Sequence, residues 1–318
     1  MSELNTTIAG EVKRCNIFFA TVYWTLPSTG VHLYNNITLI VVSLVVSLSG
    51  IIANVLVVIC YVKNPRLRTL SNIPLLSLAF SDLLVSAVVL PLCVAKFIEE
   101  IYGIRNCILW ASKGLATYFS IGVSLLSVIV ISAERFITLA YPYRYQAILT
   151  KIRMNMAVAA VWIVIFVVVI SNIIGLIPFD VLQAIATSIT GLCIFFMLIV
   201  WIWVYKLLKN HVRKINTSHS PSAVSKPETS QQQSYRNTRA SGVIVFGLII
   251  SYIPSVVMLV YFWTEPESFT GIFLVSPWGE TLLLSHSLFN PLYVFWRKST
   301  FRLTAVSFIR RWTTPGVE

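Results

Sequence analysis

Few side chains in this sequence could do chemistry, and most of those stand among hydrocarbon. In "SAERFITLAYPYRY" (Ser132 to Tyr145), Glu134 and Arg135 sit side by side at the end of a long apolar run. Asp82 lies in "LSLAFSDLL", Lys113 in "LWASKGLAT", and Glu280 and His286 in "SPWGETLLLSHSLFN". Enzymatic work would need paired aspartates, a Ser–His dyad or a histidine cluster with metal spacing. Asp82 has no such mate, and Ser285 and Ser287 flank His286 at positions that point away from it on a helix. The chain is therefore not read as an enzyme. What remains is charge chemistry: an ion pair that can be made or broken, a buried carboxylate in need of a partner, and charges that could meet a ligand.

The elements that position these groups follow from composition. The chain has 318 residues, 57% hydrophobic and 11% charged, where a soluble domain would carry about a quarter charged residues. Such apolarity needs lipid as its solvent. No positive start followed by an apolar core opens the sequence, so the first long apolar run is expected to do the targeting. A membrane-crossing helix takes about 20 mainly apolar residues. Seven stretches qualify: Ile37–Val62, Asn72–Phe97, Cys107–Leu139, Met156–Leu176, Val181–Leu208, Gly242–Trp263 and Ile272–Trp296. The fold class is an all-α membrane protein, a seven-helix bundle. Residues 1–35 form an outer N-terminal segment and 36–296 the bundle. Within it, 209–238 reads as a disordered inner loop, Ser-, Thr- and Gln-rich. Residues 297–318 form an amphipathic helix and short tail.

Charge sets the orientation. Nineteen of the 24 Lys and Arg residues fall after the first, third, fifth and seventh spans; the other five are Lys13, Arg14, Lys96, Arg105 and Lys113. By the positive-inside rule the C-terminus is cytoplasmic and the N-terminus outside, as in a multi-pass plasma-membrane protein. The net charge of +12 is then a topology and lipid-headgroup signal. Nucleic acid is the weaker reading, because the basic residues are scattered over four loops. Asn5 ("NTT") and Asn36 ("NIT") are glycosylation sequons on the outer side.

From Cys107 to Arg135 is 28 residues, about 42 Å of helix, so Glu134 and Arg135 reach the inner boundary. Asp82 lies about ten residues into its span, roughly 15 Å deep. A carboxylate there is a functional candidate by default. On the outer side, Cys15 and Cys107 are the two cysteines in an oxidising compartment; a bond between them is one reading, two free thiols the other.

These markers, in order, resemble the rhodopsin-type (class A) G-protein-coupled receptors. "ERF" ends the third span and Pro142 follows. Asn54 lies in "GIIANVLVV", Asp82 in the second span, Trp162 in the fourth and Pro254 in the sixth. "NPLY" (Asn290–Tyr293) lies in the seventh, and "FRL" (Phe301–Leu303) matches a short amphipathic eighth helix. The resemblance implies an inner switch of Glu134, Arg135, Tyr143, Tyr205 and Tyr293, opened by the sixth helix for a heterotrimeric G protein, with arrestin and receptor kinases as further partners. It implies no cofactor, but a sodium ion at Asp82 with Asn54, Ser124, Ser287 and Asn290. The alternative is an uncharged Asp82 bonded to Asn290 with no ion. Lys113, Thr117, Tyr252, Leu259 and Glu280 match the ligand pocket.

Departures limit what carries over. Val294 stands where the seventh-helix motif has Tyr, Tyr252 where the sixth has Trp, and Met197 where the fifth has Pro. Trp110 replaces the third-helix cysteine and the second outer loop, "IPFD", has none. The short second outer loop and the missing fifth-helix proline resemble the melanocortin, cannabinoid, lysophospholipid and adenosine branch. Thr117 replaces the amine-binding aspartate, which argues against a biogenic amine. Lys113 in an apolar cup suits a lipid or amphipathic ligand; its competing role is an ion pair with Glu280. A polytopic transporter or channel is the alternative function.

Overall fold

The computed structural model describes residues 13–17, 20–24, 30–104, 106–176, 179–218, 230–264 and 269–313. A two-stranded antiparallel hairpin, β1 (Lys13–Ile17) and β2 (Ala20–Trp24), precedes the helices. The first crossing is α1 (Gly30–Lys63). The second comprises α2 (Ile73–Leu84), a π-helical segment Val85–Val89, and α3 (Leu90–Tyr102). The third is α4 (Cys107–Ala140), followed by a one-turn α5 (Tyr145–Ile148). The fourth to sixth are α6 (Lys151–Ile173), α7 (Phe179–Ser218) and α8 (Ser230–Thr264). The seventh is divided into α9 (Phe269–Leu284) and α10 (His286–Arg297), and α11 (Ser299–Thr313) runs on as the eighth helix.

The bundle is apolar outside and polar within. Val41, Val45, Leu48 and Ile52 of α1 are exposed, as are Ile163, Phe166 and Val167 of α6 and Phe195 and Phe196 of α7. Ser43, Ser47, Asn54, Ser77, Asp82 and Ser124 face inward. Lipid gives helices no hydrophobic reason to associate, so small residues and interhelical hydrogen bonds must hold them. Gly50 shows the first device: a Cβ there would meet Ser86 Oγ at 2.4 Å. For the second, Trp162 Nε1 donates to Ser77 Oγ at 3.0 Å and Trp201 Nε1 to Ser132 Oγ at 2.9 Å. These join the second crossing to the fourth and the third to the fifth.

Prolines explain the irregular turns. Pro91 has no N–H for the helical ladder and crowds the turn before it, and the π-helical segment Val85–Val89 falls there. Such segments carry an extra residue per turn; here the Ser86 carbonyl accepts from Ser47 Oγ at 2.7 Å. Pro291 likewise leaves the carbonyl four residues back unpaired, and Asn54 Nδ2 donates to that Ser287 oxygen at 2.7 Å.

One organisational expectation is corrected. Residues 209–238 are not wholly irregular: α7 continues to Ser218 and α8 starts at Ser230. The Lys, Arg and Gln residues there are good helix formers, so the two helices continue past their apolar stretches.

Candidate functional site: an inner charge switch

At the inner end of α4, Glu134 and Arg135 are 3% and 2% exposed. Arg135 Nε lies 2.9 Å from Glu134 Oε2. Ser71 Oγ donates to the other carboxylate oxygen at 2.7 Å. Ser71 belongs to a single 3₁₀ turn, Leu70–Asn72, that opens the second crossing. The acid is thus held by its neighbour and from across the bundle. Tyr293 is partly buried against α8, where Gly247 has no side chain; a Cβ there would meet its ring at 2.8 Å. Tyr143 is 96% exposed and Tyr205 65% exposed. The sequence grouped both with the switch, but in this arrangement they stand outside it. Breaking a buried pair by removing one partner costs about 3–5 kcal/mol, so Glu134–Arg135 can define two discrete states.

Midway through the bundle, Asp82 is fully buried. Asn290 Nδ2 donates to Oδ2 at 2.9 Å; His286 Nε2 stands 3.4 Å from Oδ1, and Ser124 Oγ reaches it only at 3.5 Å. His286, absent from the expected set, has its other ring nitrogen 2.5 Å from the Leu283 carbonyl. A small cavity of about 10 Å³ borders Asn54, Asp82 and Asn290. The amide oxygens of Asn54 and Asn290 have no hydrogen-bond partner among the described residues. A carboxylate with two amide oxygens is a hard-donor set of the kind a small cation takes. Ser124 donates to Ser81 Oγ at 2.9 Å and Ser287 to the Leu284 carbonyl at 2.9 Å. Each hydroxyl oxygen keeps a lone pair while it donates, so these bonds remove neither serine from the expected set.

At the outer end Lys113 of α4 forms an ion pair with Glu280 of α9. Thr117 Oγ1 is turned back to the Lys113 carbonyl at 2.7 Å. Tyr252 is buried on α8, and the Leu259 side chain lies outside the described residues. Trp110 occupies the helix position where the sequence comparison expected cysteine, and Lys96 Nζ lies 4.5 Å from its ring centroid. The Asn36 sequon is also corrected. Asn36 is 5% exposed, lies within α1 and donates to Glu100 Oε2 at 3.3 Å, so its amide is engaged rather than open to a glycan. Asn5 lies outside the described residues.

Ser71 and Lys96 had no distinctive sequence signal: a serine in "LRTLSNI" and a lysine near a span end are each ordinary in isolation. His286 stood out as a titratable group within a span, but nothing near it in sequence paired it with Asp82.

Comparison with known proteins shows the family. Residues 53–293 match the family described as 7 transmembrane receptor (rhodopsin family). An alpha-1A adrenergic receptor of Oryzias latipes is 33% identical over 130 residues, 40% of this chain and 27% of the relative. Muscarinic acetylcholine receptor M5 of Rattus norvegicus is 33% identical over 137 residues, 42% of this chain and 25% of the relative. A probable G-protein coupled receptor No9 of Amphibalanus amphitrite is 30% identical over 131 residues, 41% and 27% respectively. The chain thus spans about a quarter of the length of these relatives. Adrenergic and muscarinic relatives do not support the melanocortin, cannabinoid, lysophospholipid and adenosine branch that the departures resembled. The chain belongs to the rhodopsin family of seven-transmembrane receptors, multi-pass membrane proteins rather than enzymes.

Proposed function

We propose that this protein is a receptor that takes an extracellular ligand and activates heterotrimeric G proteins by rearranging its helices. The observation that carries this reading is the closed Glu134–Arg135 pair at the inner end of α4, buried and anchored by Ser71. A pair so placed biases a two-state element. Release of Arg135 as α8 moves outward opens a floor to the G protein, with Tyr143 and Tyr205 exposed on the same side. Arrestin and receptor kinases are further partners in this reading. The N-terminus is extracellular and the C-terminus cytoplasmic, supported by the distribution of Lys and Arg.

At the outer end the ligand meets Lys113 and Glu280. An amphipathic molecule with a charged head is the class that can exchange one partner of this ion pair while its apolar part lies against the helices. Thr117 in place of an acid weighs against a biogenic amine despite the amine-binding names of two relatives. A tie between Cys15 and Cys107 belongs to the same reading. It is supported by Cys107 being disulfide-bonded while Cys60, Cys93 and Cys193 are free thiols, and by contact of β1 with α4. A sodium ion, where bound, is held by Asp82 with Asn54, Ser124, Ser287 and Asn290 and supplies the positive charge that the carboxylate needs at that depth.

The test is to reconstitute the full chain with a panel of heterotrimers and measure guanine-nucleotide exchange. Exchange above that of empty membranes, abolished by Arg135→Ala, is expected. Ion currents or solute uptake with no exchange on any heterotrimer would instead establish the channel or transporter.

A further inference from the structure

A second buried cation, besides Arg135, lies near the switch. Lys298 lies at the junction of α10 and α11 and is 9% exposed. Its ammonium donates to Asn72 Oδ1 at 2.6 Å. Asn72 is itself 6% exposed and fixed by its own donation to the Leu67 carbonyl at 2.8 Å. Asn72 is also the neighbour of Ser71, which holds Glu134. The short turn Leu70–Asn72 therefore grips two charges at once: the acid of the switch through Ser71 and the lysine of the eighth-helix junction through Asn72. Arg135 and Lys298, both buried, thus interact electrostatically with each other and with Glu134.

We propose that Lys298 is the third charge of the inner switch, a positioning residue whose ammonium, seated on Asn72, opposes Arg135 and so sets how readily the closed pair releases. This rests on the reading of Glu134–Arg135 as a switch. Two like charges held close in a desolvated site repel, and that repulsion is relieved when either moves out. In the closed arrangement, burial and then the Arg135 charge push the Lys298 ammonium down to about 7, with Glu134 opposing the shift. The groups that face it are Arg135 and Glu134 from α4, Asn72 from the inner turn and the Phe301 ring of α11, 5.8 Å from Nζ.

The sign follows from linkage. A lysine whose ordinary value is near 10.5 and which falls to about 7 in the closed state prefers to be neutral there. Protonation must then favour any state in which Lys298 or Arg135 gains solvent. Lowering the cytoplasmic-side pH from about 10.5 toward 7 opens the switch, and the effect levels off below about 7; raising it holds the switch closed. This lets the resting activity follow the proton concentration inside the cell, with no new ligand.

The experiment uses the full chain in nanodiscs with an environment-sensitive fluorophore at the inner end of α8, titrated from about pH 6 to 8. A shift of about three- to tenfold in the open-to-closed ratio is expected, within the tenfold per pH unit that one proton allows. Lys298→Met should be flat and closed, and Lys298→Arg flat and open. Asn72→Asp, which pairs the ammonium with a carboxylate and keeps it charged, should be flat across the same range. The same titration in wild type and in both Lys298 variants would overturn the proposal. Nucleotide exchange by Arg135→Ala, run in parallel, separates this failure from failure of the coupling reading: an unchanged exchange there removes the switch itself, whatever Lys298 does.

Discussion

Replacing Glu134 with Gln leaves Arg135 buried beside a neutral amide while Ser71 can still bond to it. The closed state loses its charge pairing and the open state does not, so basal nucleotide exchange should rise. A shift of about 1–3 kcal/mol, in the range of typical coupling energies, corresponds to roughly 5- to 150-fold. Ser71→Ala removes one hydrogen bond to a charged oxygen, worth about 1.5–3 kcal/mol, and should raise exchange in the same direction by a comparable amount. Radiolabelled nucleotide binding on membranes reads both. At the outer end, Lys113→Ala leaves Glu280 without its partner, and the potency of any activating ligand should change by about tenfold or more; unchanged potency would remove Lys113 from the binding site. At this scale the sequence was informative where charge and depth coincide. Glu134, Arg135, Asp82 and Lys113 stand out because hydrocarbon makes each one costly. Ser71 and Lys298 did not, and His286 stood out without its partner, since the importance of each comes from a neighbour more than sixty residues away: Glu134, Asn72 and Asp82 respectively.

At the scale of the elements, close approach is the governing constraint. Gly50 lets α1 meet the π-helical segment of the second crossing, where a Cβ would collide with Ser86 Oγ at 2.4 Å. Ser86 is not free to swing away without loss, because its hydroxyl donates to Ser287 Oγ at 3.2 Å. Gly50→Ala should therefore cost about 1–3 kcal/mol as an overpacking change and lower the melting temperature of the purified protein. Adding Ser86→Ala to make room should recover part of that loss; a double variant no more stable than the single one would show that the contact is not the cause. The number of crossings was legible from runs of about 20 apolar residues. Their internal breaks were not. The apolar pattern is blind to a π segment before Pro91 or to the division of the seventh crossing at Ser285. Those depend on which carbonyls proline frees and which side chains, such as Asn54, take them up. The inner ends of α7 and α8 were read too short for a related reason: polarity was taken as disorder, although the residues there favour helix.

For the whole molecule, the apolar exterior and the serine-lined interior make an inside-out version of a soluble protein, which is why composition alone excluded a water-soluble fold. The sequence placed the family through ordered markers spread over the chain, and the match over residues 53–293 agrees. The branch was misjudged because two local features, a short second outer loop and Met197 in place of proline, were weighed above the overall likeness. Orientation is tested by tagging both termini of cells left intact and then permeabilised: the N-terminal tag should be accessible at once and the C-terminal tag only afterwards. The central claim, that a guanidinium locked at the inner mouth governs coupling, is tested most directly by guanine-nucleotide exchange on reconstituted heterotrimers with wild type, Glu134→Gln and Arg135→Ala side by side. The account predicts exchange by the wild type, higher basal exchange by Glu134→Gln and none by Arg135→Ala. Equal exchange by all three, in protein shown to be folded, would contradict it.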